Sequence, residues 1–230
     1  MHVLVVGRNP EPGEKTIVEI RRAGGQADFL SADLRDAASA RDVAKRAVEL
    51  GNGHIDILIN NAAIYPFGPT HEMTEELFDR VYSVNVKAPY FLVAELAPLM
   101  AKRGKGAIVN LSTMAADYGA SGMSLYGSSK AAINLLTKTW AAEYGPSGVR
   151  VIAVSPGPTR TEGTDRMAEG LEQLAAQAPA GLPRQPTRLP KPSSFWRRIV
   201  PASFTARNSP STEDAQPSEH CLAFCLRPCP

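Results

Sequence analysis

Residues 107–130 read AIVNLSTMAADYGASGMSLYGSSK, and the rest of the chain is organised around this stretch. It begins with an apolar run, residues 107–109, of the kind that forms a strand buried on both faces. It ends in an alanine-rich segment whose pattern predicts a helix. A buried strand that leads into a helix is the repeating unit of an α/β fold.

Tyr126 and Lys130 are four positions apart, so on a helix their side chains share one face. A phenol is a weak acid near neutral pH, and an ammonium beside it favours the phenolate and lowers the tyrosine pKa. The pair is therefore a candidate acid–base unit. The same spacing also occurs on solvated helices that have no catalytic role. Two hydroxyls at the preceding strand end, those of Ser112 and Thr113, favour the catalytic interpretation.

The same alternation of strand and helix continues along the chain. Apolar runs predict further strands at residues 3–6, 27–33, 55–59 and 149–154, and helical periodicity predicts helices over about 14–23, 37–50, 74–103 and 126–145. Pro89 is expected to kink the third of these helices. The alternation predicts right-handed βαβ units and an α/β, Rossmann-like, doubly wound parallel sheet.

Polar residues follow each predicted strand at its carboxyl end. In doubly wound sheets, ligands bind outside these ends, so the polar clusters should converge on one site. The clusters are Gly7-Arg8, Asp33, Asn60-Asn61, Ser112-Thr113 and Pro156-Gly157.

Composition narrows the class of protein. The 230 residues carry a net charge of +2, and the three cysteines all lie after position 220. A disulfide framework therefore does not hold the fold, and a cytoplasmic location is expected. No apolar run approaches the roughly 20 residues of a membrane helix. Cysteines 221, 225 and 229 match no familiar zinc spacing, so we expect no metal. The basic charge near the end of the chain is diffuse and no apolar run is long enough, so we expect no nucleic-acid partner and no membrane.

The chain divides near residue 181. Residues 1–181 form the predicted α/β domain, which includes an amphipathic helix at about 167–174. Residues 182–230 contain nine prolines, and their 7 Lys+Arg outnumber 3 Asp+Glu. This composition predicts a basic, disordered tail.

At this point the residues resemble the short-chain dehydrogenase/reductases, from about residue 3 to residue 177. That family transfers hydride between a nicotinamide cofactor and a carbonyl or alcohol. The matching motifs occur together in the family's order, which makes them specific. They are Asn60-Asn61-Ala62-Ala63, where the family commonly has Asn-Asn-Ala-Gly, then Asn85 between two valines, Tyr126-x-x-x-Lys130, and Pro156-Gly157 with Thr161.

The resemblance implies a catalytic role for four positions. Tyr126 would be the general acid in reduction and the base in oxidation, and Lys130 would lower its pKa and bind the nicotinamide ribose. Asn85 would help to hold a water in a proton relay, although a solvated polar residue is the alternative. The family's third hydroxyl, usually a serine, lies thirteen residues before the tyrosine and falls on Thr113. Ser112 is the alternative donor.

The resemblance also implies a cofactor. The position where NAD-dependent members carry an acidic residue falls on Gly7, and Arg8 follows it. A guanidinium pairs with a 2′-phosphate, so NADP(H) is favoured over NAD(H). An ordinary loop arginine is the alternative for Arg8. Asp33 would accept from the adenine amino group. The remaining cofactor contacts would come from Asn60 and Ala62 near the adenosine ribose, and from Pro156, Gly157, Thr159 and Thr161 beyond the fifth strand.

The chain departs from the family at both ends. No Gly-x-x-x-Gly-x-Gly loop follows a first strand, and the first predicted strand matches the family's second. The absent first strand would be central in the sheet, so its loss should leave unpaired strand edges and remove the loop that binds the pyrophosphate. At the other end, the family's last strand is also expected to be missing.

Two main hypotheses follow. The first is an NADP(H)-dependent reductase of 3-oxoacyl thioesters or of small carbonyls, which the resemblance implies is a homo-oligomer. The second is a truncated or frameshifted remnant that cannot bind the dinucleotide. An interaction module built on the proline-rich tail ranks last.

Overall fold

A computed structural model describes residues 2–159, 168–176 and 222–226. Strands and helices alternate through most of this range. The strands are β1 (His2–Gly7), β2 (Gln26–Ser31), β3 (Ile57–Asn60), β4 (Gly106–Leu111), β5 (Val149–Val154) and β6 (Leu222–Leu226). The helices are α1 (Pro10–Arg22), α2 (Ala37–Leu50), α3 (Glu75–Tyr82), α4 (Ala88–Lys102), α5 (Ser124–Tyr144) and α6 (Ala168–Ala176).

The six strands form one sheet in the order β2-β1-β6-β3-β4-β5. The pairs β1–β2, β3–β4 and β4–β5 are parallel, which confirms the predicted Rossmann-like α/β class. The strand β6 runs antiparallel to both of its neighbours, β1 and β3. It occupies the central position predicted to be vacant, so the expectation of unpaired edges there is wrong.

Within the predicted tail, residues 222–226 therefore form a strand and depart from the expected disorder. Residues 177–221 and 227–230 lie outside the described residues, and the division of the chain near residue 181 stays a prediction. The predicted helix near residue 170 is present as α6. Among the described residues, no helix is both long enough and apolar enough to span a bilayer.

The strands are covered on both faces, which explains their continuous apolar runs. On one face, Leu4, Leu58 and Ile108 pack into a core with residues of α2 and α4. On the other face, Ile17 of α1 packs against Val3 and neighbouring strand residues.

The helix α1 begins at Pro10, four residues earlier than predicted. Proline is accepted in the first turn of a helix because its missing N–H would have no partner there. Gly13 lies in this helix, where an added Cβ would sit 2.1 Å from Cε2 of Phe29. This glycine therefore serves the close packing of α1 on β2.

The predicted long helix over residues 74–103 is divided into α3 and α4. A π-helical turn, Ser83–Lys87, joins them immediately before Pro89. Pro89 has no N–H for the carbonyl of Asn85, and a π-helical turn accommodates such a break in the ladder. The irregularity thus lies just before the predicted kink and includes Asn85.

Candidate active site

The helix α5 carries Tyr126 and Lys130 beside the carboxyl end of β4. The Lys130 Nζ lies 5.9 Å from the centroid of the Tyr126 ring, so the two side chains share a face as predicted. Lys130 is only 2% exposed, and its Nζ donates to the carbonyl oxygen of Leu111 at 2.7 Å. Burial lowers the pKa of this lysine to about 8. The ammonium is therefore fixed against the strand end.

The Tyr126 side chain is partly buried, next to Thr113 and Tyr65. Burial raises its pKa, while a hydrogen bond with the Thr113 side chain acts in the opposite direction. The Tyr65 ring stands edge-on to the Tyr126 ring, with 6.2 Å between centroids, and its phenol adds to the rise. The net shift in the Tyr126 pKa is upward, which is opposite to the predicted lowering by Lys130.

The two candidate hydroxyls at the end of β4 have different surroundings. The Thr113 Oγ1 accepts from the Ala115 N–H at 3.3 Å, and the Thr113 side chain also bonds Tyr126. The Ser112 Oγ is buried and has no hydrogen-bond partner among the residues that the structure describes. The structure therefore joins Thr113, and not Ser112, to the tyrosine.

Asn85 is 1% exposed, so the solvated alternative for this residue is wrong. Its Oδ1 accepts from the Ile64 N–H, and its Nδ2 donates to the Ile64 carbonyl, both at 2.8 Å. The same Nδ2 donates to Ser129 Oγ on α5 at 3.0 Å. Asn85 thus fastens the loop after β3 to the helix that carries Tyr126, and its relay role stays a prediction.

A buried amide network crosses the sheet behind these residues. The Asn60 Nδ2 donates to Asn110 Oδ1 at 2.7 Å, and Asn110 Nδ2 donates to Thr137 Oγ1 at 2.8 Å. The Asn60 side chain is therefore bound to β4. Sequence reasoning missed Asn110 and Thr137, although an asparagine inside an apolar strand was a signal for Asn110.

A small cleft opens at the carboxyl ends of β1 and β2. Predicted residues Arg8, Asp33 and Ala62 line it together, whereas Asn60 is not among its lining residues. Arg80 of α3 also lines the cleft, and its Nη2 lies 2.5 Å from Asp33 Oδ1. Sequence reasoning missed Arg80, because no local pattern marks an arginine on a helix as part of a cleft.

The segment after β5 contacts the turn that follows Thr113. The Met114 N–H donates to the Pro156 carbonyl at 3.3 Å, and Thr159 Oγ1 donates to the Gly157 carbonyl at 2.9 Å. Pro156 and Gly157 are therefore brought next to the turn that follows Thr113. Thr161 lies outside the described residues.

Comparison with known proteins supplies the family. The sequence profile described as short chain dehydrogenase matches residues 1–172. This chain belongs to the short-chain dehydrogenase family. An uncharacterized oxidoreductase of Thermotoga maritima is 42% identical to it over 153 residues, which are 66% of this chain and 60% of that protein. The chain thus spans less than two thirds of the length of that relative.

Two solved structures resemble this chain and differ in their cofactor. A metagenomic short-chain oxidoreductase in complex with NADP has a TM-score of 0.65 and 32% identity, with 79% of this chain and 82% of that chain covered. An NAD⁺-bound xylitol dehydrogenase has a TM-score of 0.73 and 26% identity, with 80% and 77% covered. The fold therefore occurs with either nicotinamide dinucleotide.

Proposed function

We propose that this chain is an NADP(H)-dependent oxidoreductase that interconverts a ketone and a secondary alcohol. The observation that carries the proposal is the unit formed by the Tyr126 phenol, its hydrogen bond with Thr113, and the Lys130 ammonium on the same helix face. A bound nicotinamide would supply or accept the hydride. The proton of the alcohol would move to or from Tyr126.

The raised pKa of Tyr126 suits the reductive direction. A phenol that keeps its proton at neutral pH can deliver it to the oxygen of a carbonyl as that carbon is reduced. The Thr113 hydroxyl beside it can donate a hydrogen bond to the same oxygen while negative charge develops there. Asn85 bonds both the loop after β3 and helix α5, and it thereby holds them together near Tyr126 and Thr113.

The residues present fit the two ends of a dinucleotide. In the cleft, Arg8 offers a guanidinium for a 2′-phosphate, Asp33 offers an acceptor, and Ala62 with Val84 offers apolar surface for a base. Lys130 has three N–H donors, so it can bind a ribose hydroxyl while it retains the Leu111 carbonyl. Pro156, Gly157, Thr159 and Thr161 would lie along the nicotinamide end.

The direction of β6 favours a second candidate, an inactive remnant. A parallel strand followed by a helix would direct backbone N–H groups at a pyrophosphate. Since β6 is antiparallel, Leu222 pairs with Val6, and the amino end of β6 lies at the site edge. A folded protein that fails to bind NADPH in a fluorescence titration would support this candidate.

Two further parts of the proposal concern substrate and assembly. The substrate would be a 3-oxoacyl thioester or a small carbonyl compound. Turnover measured on a panel of substrates from both classes would distinguish the two.

A homo-oligomer would form through α4 and α5, whose exposed apolar residues include Tyr90, Leu99 and Leu135. Sedimentation equilibrium measures the assembly directly.

The decisive test is Tyr126→Phe. Removal of the phenolic proton donor should lower NADPH-dependent turnover by about 10²–10⁴-fold and leave NADPH binding in place. Tyr118→Phe is the matched control, because Tyr118 is exposed, and it should keep its turnover. Full turnover in Tyr126→Phe would remove the proposed mechanism.

A further inference from the structure

The cleft at the ends of β1 and β2 contains an ion pair that joins two distant parts of the chain. Arg80 and Asp33 are 47 positions apart, and their side chains meet at 2.5 Å inside the cleft. Arg8 lines the same cleft. Among the described lining residues, these three carry the charge, so the cleft has a formal charge of +1.

A carboxylate in this cleft has opposite consequences for the two nicotinamide dinucleotides. It repels a 2′-phosphate, whereas it can accept a hydrogen bond from uncharged groups of the nucleoside. Asp33 alone would therefore oppose the phosphate that Arg8 attracts. With Arg80 against it, the carboxylate belongs to a neutral pair, and the charge of Arg8 is left unopposed.

We propose that Arg80 is a specificity-determining residue, which admits a 2′-phosphorylated adenosine to the cleft by neutralising Asp33. The inference rests on the proposed NADP(H) function. Two arginines would then select for the 2′-phosphate. Arg8 would contact the phosphate directly, and Arg80 would act by neutralising the Asp33 carboxylate.

The position of Arg80 suits this role. Its helix α3 is fixed at the start by Thr74, whose Oγ1 accepts from the Leu77 N–H at 3.2 Å. The Arg80 side chain is 28% exposed and that of Asp33 is 40% exposed, so solvent screens the pair only in part. Loss of the Arg80 charge should therefore change phosphate selectivity measurably.

The experiment compares two adenosine probes that differ in one phosphate, 2′,5′-ADP and 5′-AMP, by titration calorimetry. For the native chain, 2′,5′-ADP should bind more tightly. In Arg80→Gln, the affinity ratio between the probes should fall by roughly tenfold, because the cleft loses one positive charge. Arg41→Gln is the matched control, since Arg41 pairs with Glu95 on the exposed surface at 3.1 Å, and it should keep the native ratio.

A charge-restoring double variant separates selectivity from folding. Arg80→Gln combined with Asp33→Asn returns the cleft to a charge of +1, so the ratio should recover towards the native value. Arg80→Lys, which keeps the positive charge, should also retain most of the ratio. A merely structural role of Arg80 would weaken both probes alike in Arg80→Gln and leave their affinity ratio at the native value.

The outcomes distinguish the role of Arg80 from the NADP(H) preference on which it rests. A native preference for 2′,5′-ADP that survives Arg80→Gln would overturn the role of Arg80 and leave the NADP(H) assignment intact. Equal binding of the two probes by the native chain would overturn the NADP(H) preference, and the role of Arg80 with it. A ratio that falls in Arg80→Gln and recovers in the double variant supports both.

Discussion

The two halves of the sheet, on either side of β6, are held together differently. Strands β3, β4 and β5 are parallel, and the buried side chains of Asn60, Asn110 and Thr137 join this half to α5. Strands β1 and β2 are also parallel, but the polar side-chain contact between them, His2–Asp28 at 2.6 Å, is partly exposed. The proposed catalytic unit of Tyr126, Lys130 and Thr113 therefore rests on the half with the buried network, and the proposed adenosine cleft lies beside the other half.

The largest effect should come from removal of residues 221–230, which contain β6. The strand β1 loses five paired positions and β3 loses three, so β1 and β2 should lose protection first. We expect a loss of about 3–5 kcal/mol in the unfolding free energy of the β1–β2 half, from the usual contribution of backbone hydrogen bonds. Hydrogen exchange measures each half separately.

Removal of residues 227–230 alone is the control for this truncation, because it leaves β6 in place. That shorter truncation should keep protection in all strands. Equal loss of protection in β1 and β5 after removal of 221–230 would break the distinction between the halves.

The next effect tests the buried network. Asn110→Leu keeps the approximate volume but leaves the Asn60 amide without its acceptor, and it should cost about 2–3 kcal/mol of unfolding free energy. In the other half, His2→Ala removes a partly exposed contact with Asp28 and should cost less than about 1 kcal/mol. Urea unfolding of the two variants gives the comparison, and equal losses would contradict it.

A smaller effect concerns the packing of α5 against the turn that follows Thr113. A Cβ at Gly127 would lie 2.9 Å from the Ala115 carbonyl oxygen, which is backbone and moves only with the turn after Thr113. Gly127→Ala should therefore cost about 1–2 kcal/mol and lower kcat. Gly170→Ala on α6 meets no atom within 4 Å and should be neutral or slightly stabilising. Unfolding and turnover measured together test this, and unchanged kcat in Gly127→Ala would count against it.

The elements of the fold and the face shared by Tyr126 and Lys130 were predictable, because they depend on local periodicity. Apolar runs marked β1 to β5, and an i, i+4 spacing determines which side chains meet on a helix. The contact of Tyr126 with Thr113 agrees with the family spacing, although the direction of the tyrosine pKa shift does not follow from it. Burial determined that direction, and burial is a property of the folded chain.

What could not be predicted depends on long-range contacts. Asn110 meets Thr137, which is 27 positions away, and Arg80 meets Asp33, which is 47 positions away. The strand β6 follows a proline-rich segment, and five apolar residues without a repeating pattern do not reveal a strand or its direction. The early start of α1 is of another kind, since the helix begins at Pro10 and proline is accepted in a first helical turn.

A last effect, of about the same size, is a pH dependence that depends on Lys130. Burial lowers the pKa of Lys130 in the folded protein to about 8, from its ordinary value of 10.5. Between these values the unfolded chain holds the extra proton, so stability rises with pH across that window. The raised pKa of Tyr126 places its own contribution above pH 10, where stability falls as pH increases. From pH 7.5 to 9.5, the unfolding free energy of the native chain should therefore rise by about 2 kcal/mol relative to Lys130→Met, measured by urea unfolding. The same pH dependence in both proteins would show that the ammonium of Lys130 is solvated, and the half formed by β3, β4 and β5 would then be more open than its buried network indicates.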